Sequence, residues 1–419
     1  MLLSRRKFLQ IGGLSISTFG FSNILFSRSQ TSGQSQLKNM VAGVKPLTPE
    51  DYEKRMEKAQ QLLAENKIDA LFLSGSTNLI YFTKVGWGRS ERTFGAVLNR
   101  KGSPVWVCPA FERERAEERI PKGQEVRTWE EDESPYKLIA GIMKDLGAGR
   151  GRLALGPTVR NFVYYGLHKD APGLELVNGA VITEGCRGIK SKKEIAYMDL
   201  ANKITKLAYR EAFKHLREGM TTGELSGLVR RAHQEMGVRG GGGPQFGPNS
   251  AFPHGSSVVR NLHKGDSIII DGGCGVEGFR SDVTRTVVLG KPSDKLRKVW
   301  DIVKKSQSEA LKAIRPGVSC EHIDRVARKV VEDAGYGPGY KYFTHRVGHG
   351  IGMEGHEYPY LVKGNKLKLQ PGMTFSDEPG IYIYGEFGVR LEDCFVVTED
   401  GGRFLGGMAS TAIDKPFGE

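Results

Sequence analysis

The stretch SIIIDGG, residues 267–273, and the stretch SDVTRTVVL, residues 281–289, decide the fold of this 419-residue chain. Each is an apolar run of strand length that carries one aspartate, and the segment between them is rich in glycine. We therefore expect a hairpin-like pair of strands that brings Asp271 and Asp282 to one side. A carboxylate beside three isoleucines is costly to bury unless it is paired. For either aspartate alone, a turn position or an ion pair with Arg285 is the alternative.

Two later stretches repeat this arrangement with glutamates. FSDEPGIY, residues 375–382, contains Glu378, and VRLEDCFVV, residues 389–397, contains Glu392 inside a predicted strand. His349 stands between two glycines, which allow close approach of the backbone. Four carboxylates and one imidazole form an oxygen-rich donor set, which suits manganese, iron, cobalt or zinc and argues against a zinc–thiolate site. Two such ions can activate water and polarise a carbonyl group.

An internal repeat connects these two groups of acids. LREGMT, residues 216–221, resembles IRPGVS, residues 314–319, at an offset of 98. The apolar positions that follow keep the same spacing, which predicts a duplicated fold whose halves face one cleft. The first half contributes His254, Asp271 and Asp282, and the second contributes His349, Glu378 and Glu392.

A separate domain precedes the repeat. A helix is predicted from Pro49, with Thr48 as its N-cap, and strands are predicted at residues 68–73, 78–82, 96–98 and 105–108. Strands that alternate with helical segments indicate an α/β layer. The second domain opens with a helix whose capping box is formed by Ser191 and Glu194. We predict three parts: a signal and linker at 1–45, an α/β domain at 46–178, and a catalytic domain at 179–419.

The first 45 residues are typical of a twin-arginine export signal. Arg5 and Arg6 precede Phe8, a weakly apolar segment follows at 11–26, and no acid occurs before Glu50. We expect export of the folded protein to the periplasm. No Ala-x-Ala cleavage site is present, so an uncleaved segment would act as an anchor. A disordered basic tail is the alternative, and residues 29–45 read as a polar linker.

Composition narrows the class of protein. Hydrophobic residues make up 39% and charged residues 26%, as in soluble globular proteins. The net charge of +13 falls to +7 once the six cations of residues 1–45 are set aside, and no basic run alternates with aromatics, which argues against nucleic-acid binding. The five cysteines include no CxxC pair, so we expect buried free thiols, with one disulfide after export as the alternative.

Taken in order, these motifs resemble the M24 metallopeptidase family, which contains methionine aminopeptidase, prolidase and Xaa-Pro aminopeptidase. The likeness extends from about residue 50 to 410. It implies an α/β (α+β) fold, with a creatinase-like N-terminal domain and a pita-bread catalytic domain that has a pseudo-twofold axis. It also implies two divalent ions per chain, with manganese expected first and cobalt, zinc or iron as alternatives. The implied metal ligands are Asp271, Asp282, His349, Glu378 and Glu392.

The resemblance implies further roles and partners. The catalytic residues would be His254, His345, His356, Glu378 and Arg390, and the substrate would contact His254, Tyr382 and Arg390. Asp377 departs from the family, which usually has a small or apolar residue there. The implied activity is hydrolysis of peptide bonds at X-Pro by a homodimer. Apart from this resemblance, the N-terminal signal predicts the twin-arginine export machinery as a partner.

Two other functions stay open at this point. The same metal scaffold could act on a non-peptide small molecule, as an amide hydrolase or a lyase, because the ligands determine the metals and not the substrate pocket. A non-catalytic binding module is the second alternative, and the complete ligand set argues against it.

Overall fold

The computed structural model describes residues 37–418. The predicted twin-arginine signal therefore lies outside the described residues. Within residues 37–418, no helix combines the length and the apolar character needed to cross a membrane. All five cysteines fall in this range, and each is buried and free, which confirms the prediction of buried thiols.

The first domain is built on one mixed sheet. Its six strands lie in the order β4-β3-β2-β1-β5-β6, and β1 is antiparallel to β2 but parallel to β5. The strands are β1 (Ala70–Ser74), β2 (Gly95–Asn99), β3 (Val105–Pro109), β4 (Val126–Trp129), β5 (Arg152–Leu155) and β6 (Glu175–Asn178). The helices are α1 (Pro49–Glu65), α2 (Thr77–Thr83), α3 (Arg113–Glu117), α4 (Pro135–Asp145), α5 (Asn161–Asp170) and α6 (Ala180–Arg187).

Apolar side chains on both faces of this sheet are buried because alternate residues of a strand point to opposite sides. Leu71 and Leu73 of β1 pack in a core that includes residues of α1, α2 and α6. Ala70 and Phe72 pack on the opposite face with residues of α4 and α5. Since α6 shares a core with α1, the first hydrophobic core extends past residue 178.

Helix α1 begins at the predicted residue, whereas α2 lies where a strand was predicted. Thr48 is the N-cap of α1 and Pro49 its first residue. The strand predicted at residues 78–82 is wrong, because this segment forms α2, where the Ser76 hydroxyl accepts a hydrogen bond from the Leu79 amide (3.4 Å). Apolar runs of this length fit a strand or a buried helix equally well.

The second domain contains four α-helices and twelve strands within the described residues. The helices are α7 (Lys192–Phe213), α8 (Thr222–Glu235), α9 (Asp294–Ala313) and α10 (Cys320–Asp333). The strands are β7 (Gly243–Phe246), β8 (Ser267–Gly272), β9 (Gly275–Val276), β10 (Phe279–Arg280), β11 (Val283–Val288), β12 (Gly348–Gly350), β13 (Glu357–Leu361), β14 (Thr374–Asp377), β15 (Gly380–Ile383), β16 (Phe387–Arg390), β17 (Asp393–Val397) and β18 (Gly402–Phe404). The two larger sheets have the orders β11-β8-β7 and β13-β12-β14-β17-β18. This mixed architecture confirms the predicted fold class.

The internal repeat is visible in the helices. Helix α8 spans residues 222–235 and α10 spans 320–333, so both ends differ by the offset of 98 seen in the sequence. Each follows a hydroxyl-bearing N-cap, Thr221 or Ser319. Helix α8 packs on α7, and α10 packs on α9.

The predicted strand pair around the first two acids is confirmed. Strand β8 runs antiparallel to β11, with Asp271 opposite Thr284. The prediction that Glu392 lies inside a strand is wrong, because β16 ends at Arg390 and β17 begins at Asp393. At this break the Glu392 amide donates to the Thr284 carbonyl oxygen (3.1 Å), which joins the two halves of the domain.

Residues 37–45 lie against the second domain. The Met40 amide donates to the Met236 carbonyl oxygen (3.0 Å), and the Tyr197 hydroxyl donates to the carbonyl oxygen of Lys45 (2.6 Å). Leu37, Met40, Val41 and Val44 pack on the hydrophobic core that contains α7. The polar composition of this segment had indicated only a linker.

Candidate metal centre

The five side chains predicted as metal ligands converge in one place. Two groups of donor atoms, each lying within 4.8 Å of one another, are formed by His349, Glu378 and Glu392 and by Asp271, Asp282 and Glu392. Glu392 belongs to both groups, as a carboxylate that bridges two ions would. A third group joins Asp282 and His349 to His356.

The first two acids are placed by the strand pair that carries them. Asp271 ends the apolar run of β8, and Asp282 immediately precedes β11. The Thr284 hydroxyl lies 2.9 Å from Asp271 Oδ1 and 2.7 Å from Glu392 Oε2. Thr284 therefore links an acid of each half of the domain.

His349 is placed by the close approach of two strands. A Cβ atom on Gly348 would lie 2.0 Å from the Ser376 carbonyl oxygen, so only glycine fits beside the histidine. The His349 amide donates to Ser376 Oγ (3.0 Å), and its ring Nδ1 lies 3.1 Å from the Gly350 carbonyl oxygen. Because a carbonyl oxygen can only accept, Nδ1 carries the proton and Nε2 keeps a free lone pair. That atom lies 3.3 Å from Glu378 Oε1.

The protonation of these groups follows from burial and mutual repulsion. Burial, followed by the charges of neighbouring carboxylates, raises the pKa of Asp282 and of Glu392 well above the usual range. Burial also raises the pKa of Glu378 to about 8 and lowers that of His349 to about 4. The cluster thus combines crowded acids that resist ionisation with an imidazole that stays neutral at pH 7.

This chemistry fits divalent metal ions. Buried carboxylates that repel one another are stabilised in their charged form by cations, and a neutral imidazole nitrogen is a good ligand for zinc, iron and related ions. Ser376 Oγ lies 3.3 Å from Glu378 Oε1, so one carboxylate of the candidate site is held by a neighbouring hydroxyl. Such supporting hydrogen bonds orient ligands in metal sites.

A hydrogen-bonded chain leads from the acids to a histidine. Arg390 Nη2 lies 2.8 Å from Asp271 Oδ2, and Nη1 donates to the Tyr382 hydroxyl (3.0 Å). That hydroxyl is 2.8 Å from His345 Nε2, while His345 Nδ1 lies 2.8 Å from the Arg346 carbonyl oxygen. Burial, followed by the charge of Arg390, lowers the pKa of His345 to about 3. Both ring nitrogens of this neutral histidine are thus engaged within the protein.

The other predicted residues lie around this centre. The His356 ring stacks on the His349 ring, with centroids 3.7 Å apart and planes 15° from parallel. His254 is exposed, and the carbonyl oxygen of the preceding Pro253 accepts from Arg390 Nη1 (2.9 Å). Asp377 belongs to none of the donor groups, and its carboxylate is fully buried.

Sequence reasoning missed Thr284 and Ser376 as parts of the site. Thr284 lies two residues after Asp282, and side chains two apart on a strand share a face. Ser376 precedes Glu378 by the same spacing. This period-two pattern was the available signal, although a lone hydroxyl is too common for it to have been decisive.

Comparisons with known proteins agree with this architecture. Residues 196–399 match the model of metallopeptidase family M24, and residues 55–189 match the creatinase/prolidase N-terminal domain. An Xaa-Pro dipeptidase from Lactobacillus helveticus is 34% identical over 352 residues, which are 83% of this chain and 95% of the relative.

Two solved structures show the same fold over most of their length. The prolidase from Thermococcus sibiricus is 32% identical and has a TM-score of 0.76, with 85% of this chain and 96% of that chain covered. The dipeptidase PepE from Mycobacterium ulcerans is 31% identical and has a TM-score of 0.79, with 86% and 97% covered. With the two domains, the paired donor groups and these relatives taken together, the chain belongs to metallopeptidase family M24.

Proposed function

We propose that this protein is a two-metal hydrolase that cleaves X-Pro dipeptides. The observation that carries the proposal is the convergence of all five predicted ligands into two donor groups that share Glu392. The names of the relatives, among them an Xaa-Pro dipeptidase and a prolidase, support the choice of substrate.

In this proposal Asp271, Asp282, His349, Glu378 and Glu392 hold the two ions. Bound there, the ions would supply Lewis acidity and an activated water. Glu378 then accepts the proton that the water releases when it attacks the amide carbon. It delivers this proton to the proline nitrogen, which leaves as an amine.

The remaining side chains orient the substrate. The tertiary amide of X-Pro has no N–H, so recognition depends on the shape of the proline ring. Arg390 and His345 hold the Tyr382 hydroxyl from two sides (3.0 and 2.8 Å), which gives one wall of the site a fixed geometry. His254, exposed next to a loop carbonyl that Arg390 holds, is the group we assign to the substrate's carbonyl oxygen.

The proposal also covers the identity of the native metal, the oligomeric state of the protein and the compartment in which it works. An oxygen-rich set with one imidazole supports manganese as the native metal, with iron, cobalt and zinc as competitors. Resemblance to the family supports a homodimer. The pair Arg5 and Arg6, with no acid before Glu50, supports export to the periplasm through the twin-arginine machinery. Sedimentation of the purified protein and fractionation of cells expressing an Arg5→Lys, Arg6→Lys variant would test the last two points.

The activity is tested by metal analysis combined with an assay on protein that begins at Leu37. We expect about two ions per chain and hydrolysis of X-Pro dipeptides, with no cleavage of the matched X-Ala dipeptides. Cleavage restricted to longer X-Pro peptides would change the assignment to an aminopeptidase. Two ions without peptide cleavage would favour a non-peptide substrate, and absence of metal would overturn the proposal.

A further inference from the structure

A buried ion-pair network lies beside the candidate metal centre, and none of its members belongs to the donor groups. The Glu357 carboxylate accepts from Lys190 Nζ (2.7 Å) and from Arg187 Nη2. Side-chain exposure is 6% for Glu357, 2% for Lys190 and 10% for Arg187. Although burial opposes ionisation, Lys190 and Arg187 hold the pKa of Glu357 below its usual value. The carboxylate is therefore charged and fully engaged at neutral pH.

This network holds the segment that carries His356. Glu357 follows His356 directly and is the first residue of β13. Strand β13 pairs with β12, the strand of His349, and the register shifts between His349 and Gly350. A Cβ atom on Gly352 would lie 2.4 Å from Glu357 Oε1, so the intervening turn is folded tightly over this carboxylate.

His356 depends on such an anchor because its own side chain is exposed. It lines a cleft of about 150 Å³ together with Asn78 and Arg187. Its ring contact on the protein side is the stack on His349 (3.7 Å). A small shift of β13 would separate the two rings, since neighbouring residues of a strand move together.

The same network reaches into the first domain. Arg187, the last residue of α6, donates from Nη1 to Asn78 Oδ1 (2.7 Å) and from Nη2 to Glu354 Oε2 (3.1 Å). Asn78 is a buried residue of α2. One guanidinium thus connects a helix of the N-terminal domain with both acids that flank His356.

We propose that Glu357 is a positioning residue that fixes His356 on His349, and that Arg187 and Asn78 make this placement depend on the N-terminal domain. The inference rests on the proposed function for its kinetic consequences but not for its structural ones. It predicts that the N-terminal domain contributes to turnover without touching the reacting atoms.

The kinetic test compares Glu357→Gln, Arg187→Lys and Asn78→Ala in the metal-loaded full chain. The matched control is Glu194→Gln, which breaks the buried pair between Arg55 and Glu194 (2.6 Å; 7% and 6% exposed), another link from α1 to α7. We expect kcat on an X-Pro dipeptide to fall about 10- to 100-fold in the Glu357 variant, because small misplacements of catalytic groups have effects of this size. We expect smaller losses in the other two variants, and the Glu194 variant should lose thermal stability but keep its kcat.

A double-mutant comparison separates positioning from general damage. If Glu357 acts through His356, adding Glu357→Gln to His356→Ala should lower kcat little further. Multiplicative losses, or an equal loss of kcat in the Glu194 control, would overturn the proposal. If Glu357→Gln does not fold, the Arg187→Lys and Asn78→Ala variants supply the same comparison.

A spectroscopic readout keeps the inference distinct from the proposed activity. In metal-free protein with labelled histidines, the stacked rings of His349 and His356 should show ring-current shifts, assigned by their loss in His356→Ala. These shifts should disappear in Glu357→Gln and persist in Glu194→Gln. Their persistence in Glu357→Gln would refute the positioning role even if the wild-type chain cleaves no X-Pro peptide.

Discussion

Neighbouring acids of the second domain differ in whether they belong to the donor groups. Asp377 and Asp393 are paired in register on β14 and β17, and neither belongs to the donor groups. The adjacent residues Glu378 and Glu392 point toward them. At each of these two strand ends, one acid therefore belongs to the candidate metal centre and its neighbour does not.

The ligand assignment can be tested at Asp282. Replacing Asp282 with Ala removes one donor from a buried group, so we expect loss of bound metal and a fall in activity of at least about 100-fold, the upper range for loss of a supporting hydrogen bond alone. The fold should survive, because one repelling acid is removed. Metal analysis, activity and circular dichroism check this, with the exposed Asp301→Ala on α9 as control. Wild-type metal content in the Asp282 variant would contradict the assignment.

Replacing Asp393 or Asp377 with asparagine should have different effects on the stability of the protein. Asp393 pairs with Lys206 (2.7 Å) and Arg285 (2.8 Å), all nearly inaccessible, so Asp393→Asn leaves two buried cations uncompensated and should cost about 3–5 kcal/mol. Asp377 is fully buried, and within residues 37–418 its carboxylate oxygens have no hydrogen-bond partner. Asp377→Asn should therefore be neutral or stabilising.

Denaturant unfolding of the metal-free protein measures both changes. A destabilisation of Asp377→Asn as large as that of Asp393→Asn would show that Asp377 is also held by a charged partner. Burial raises the pKa of Asp377 well above its usual range, and Lys304, whose charge opposes that shift, would be the first candidate for such a partner.

Two strands of the second domain approach each other so closely that the position of Gly348 accepts only glycine. A Cβ atom on Gly348 would meet a backbone oxygen of β14, which cannot move without breaking the sheet that carries His349. We expect Gly348→Ala to lower both stability and metal content. Gly227 in α8 faces open space, so Gly227→Ala should stabilise by about 0.5–1 kcal/mol. Thermal unfolding of both variants checks this, and tolerance of Gly348→Ala would contradict the close approach.

Helix α8 also contains a buried histidine that makes stability depend on pH. His233 is fully buried, its Nδ1 lies 2.9 Å from the Val229 carbonyl oxygen, and burial lowers its pKa below the usual 6.5. The folded chain then binds fewer protons than the unfolded chain, so this contribution is complete above pH 6.5 and is lost as the pH falls below that value.

The His233→Gln variant should therefore lose less stability than the wild type between pH 7 and pH 5. Melting temperatures of the metal-free proteins at several pH values measure the difference. Equal slopes in the two proteins would show that His233 does not contribute to acid sensitivity.

The whole molecule depends on residues that precede its first helix. Leu37, Met40, Val41 and Val44 are partly buried on the second domain. A chain that begins at residue 46 should be less stable than one that begins at residue 37, by about 2–4 kcal/mol from the lost apolar burial. Unfolding of the two purified proteins tests this. Equal stability would show that the segment only lies on the surface.

The sequence by itself determined the local framework of this protein. Helix starts at Thr48, Ser191 and Thr221, the β8–β11 pair and the 98-residue repeat all follow from signals that span a few residues or one period. The four acids among the five proposed ligands were singled out in the same way, because acids beside apolar strands are unusual, and all five residues lie in the candidate donor groups.

Only the tertiary structure decided how these pieces cooperate. The hydrogen bond between Thr284 and Glu392 joins residues 108 positions apart, and the contact between Arg187 and Glu357 spans 170. The helical state of residues 77–83 likewise depended on packing rather than on its apolar pattern. Such contacts leave no periodic trace in a single chain, because they depend on how two folded halves meet and on which charges remain buried when water is excluded.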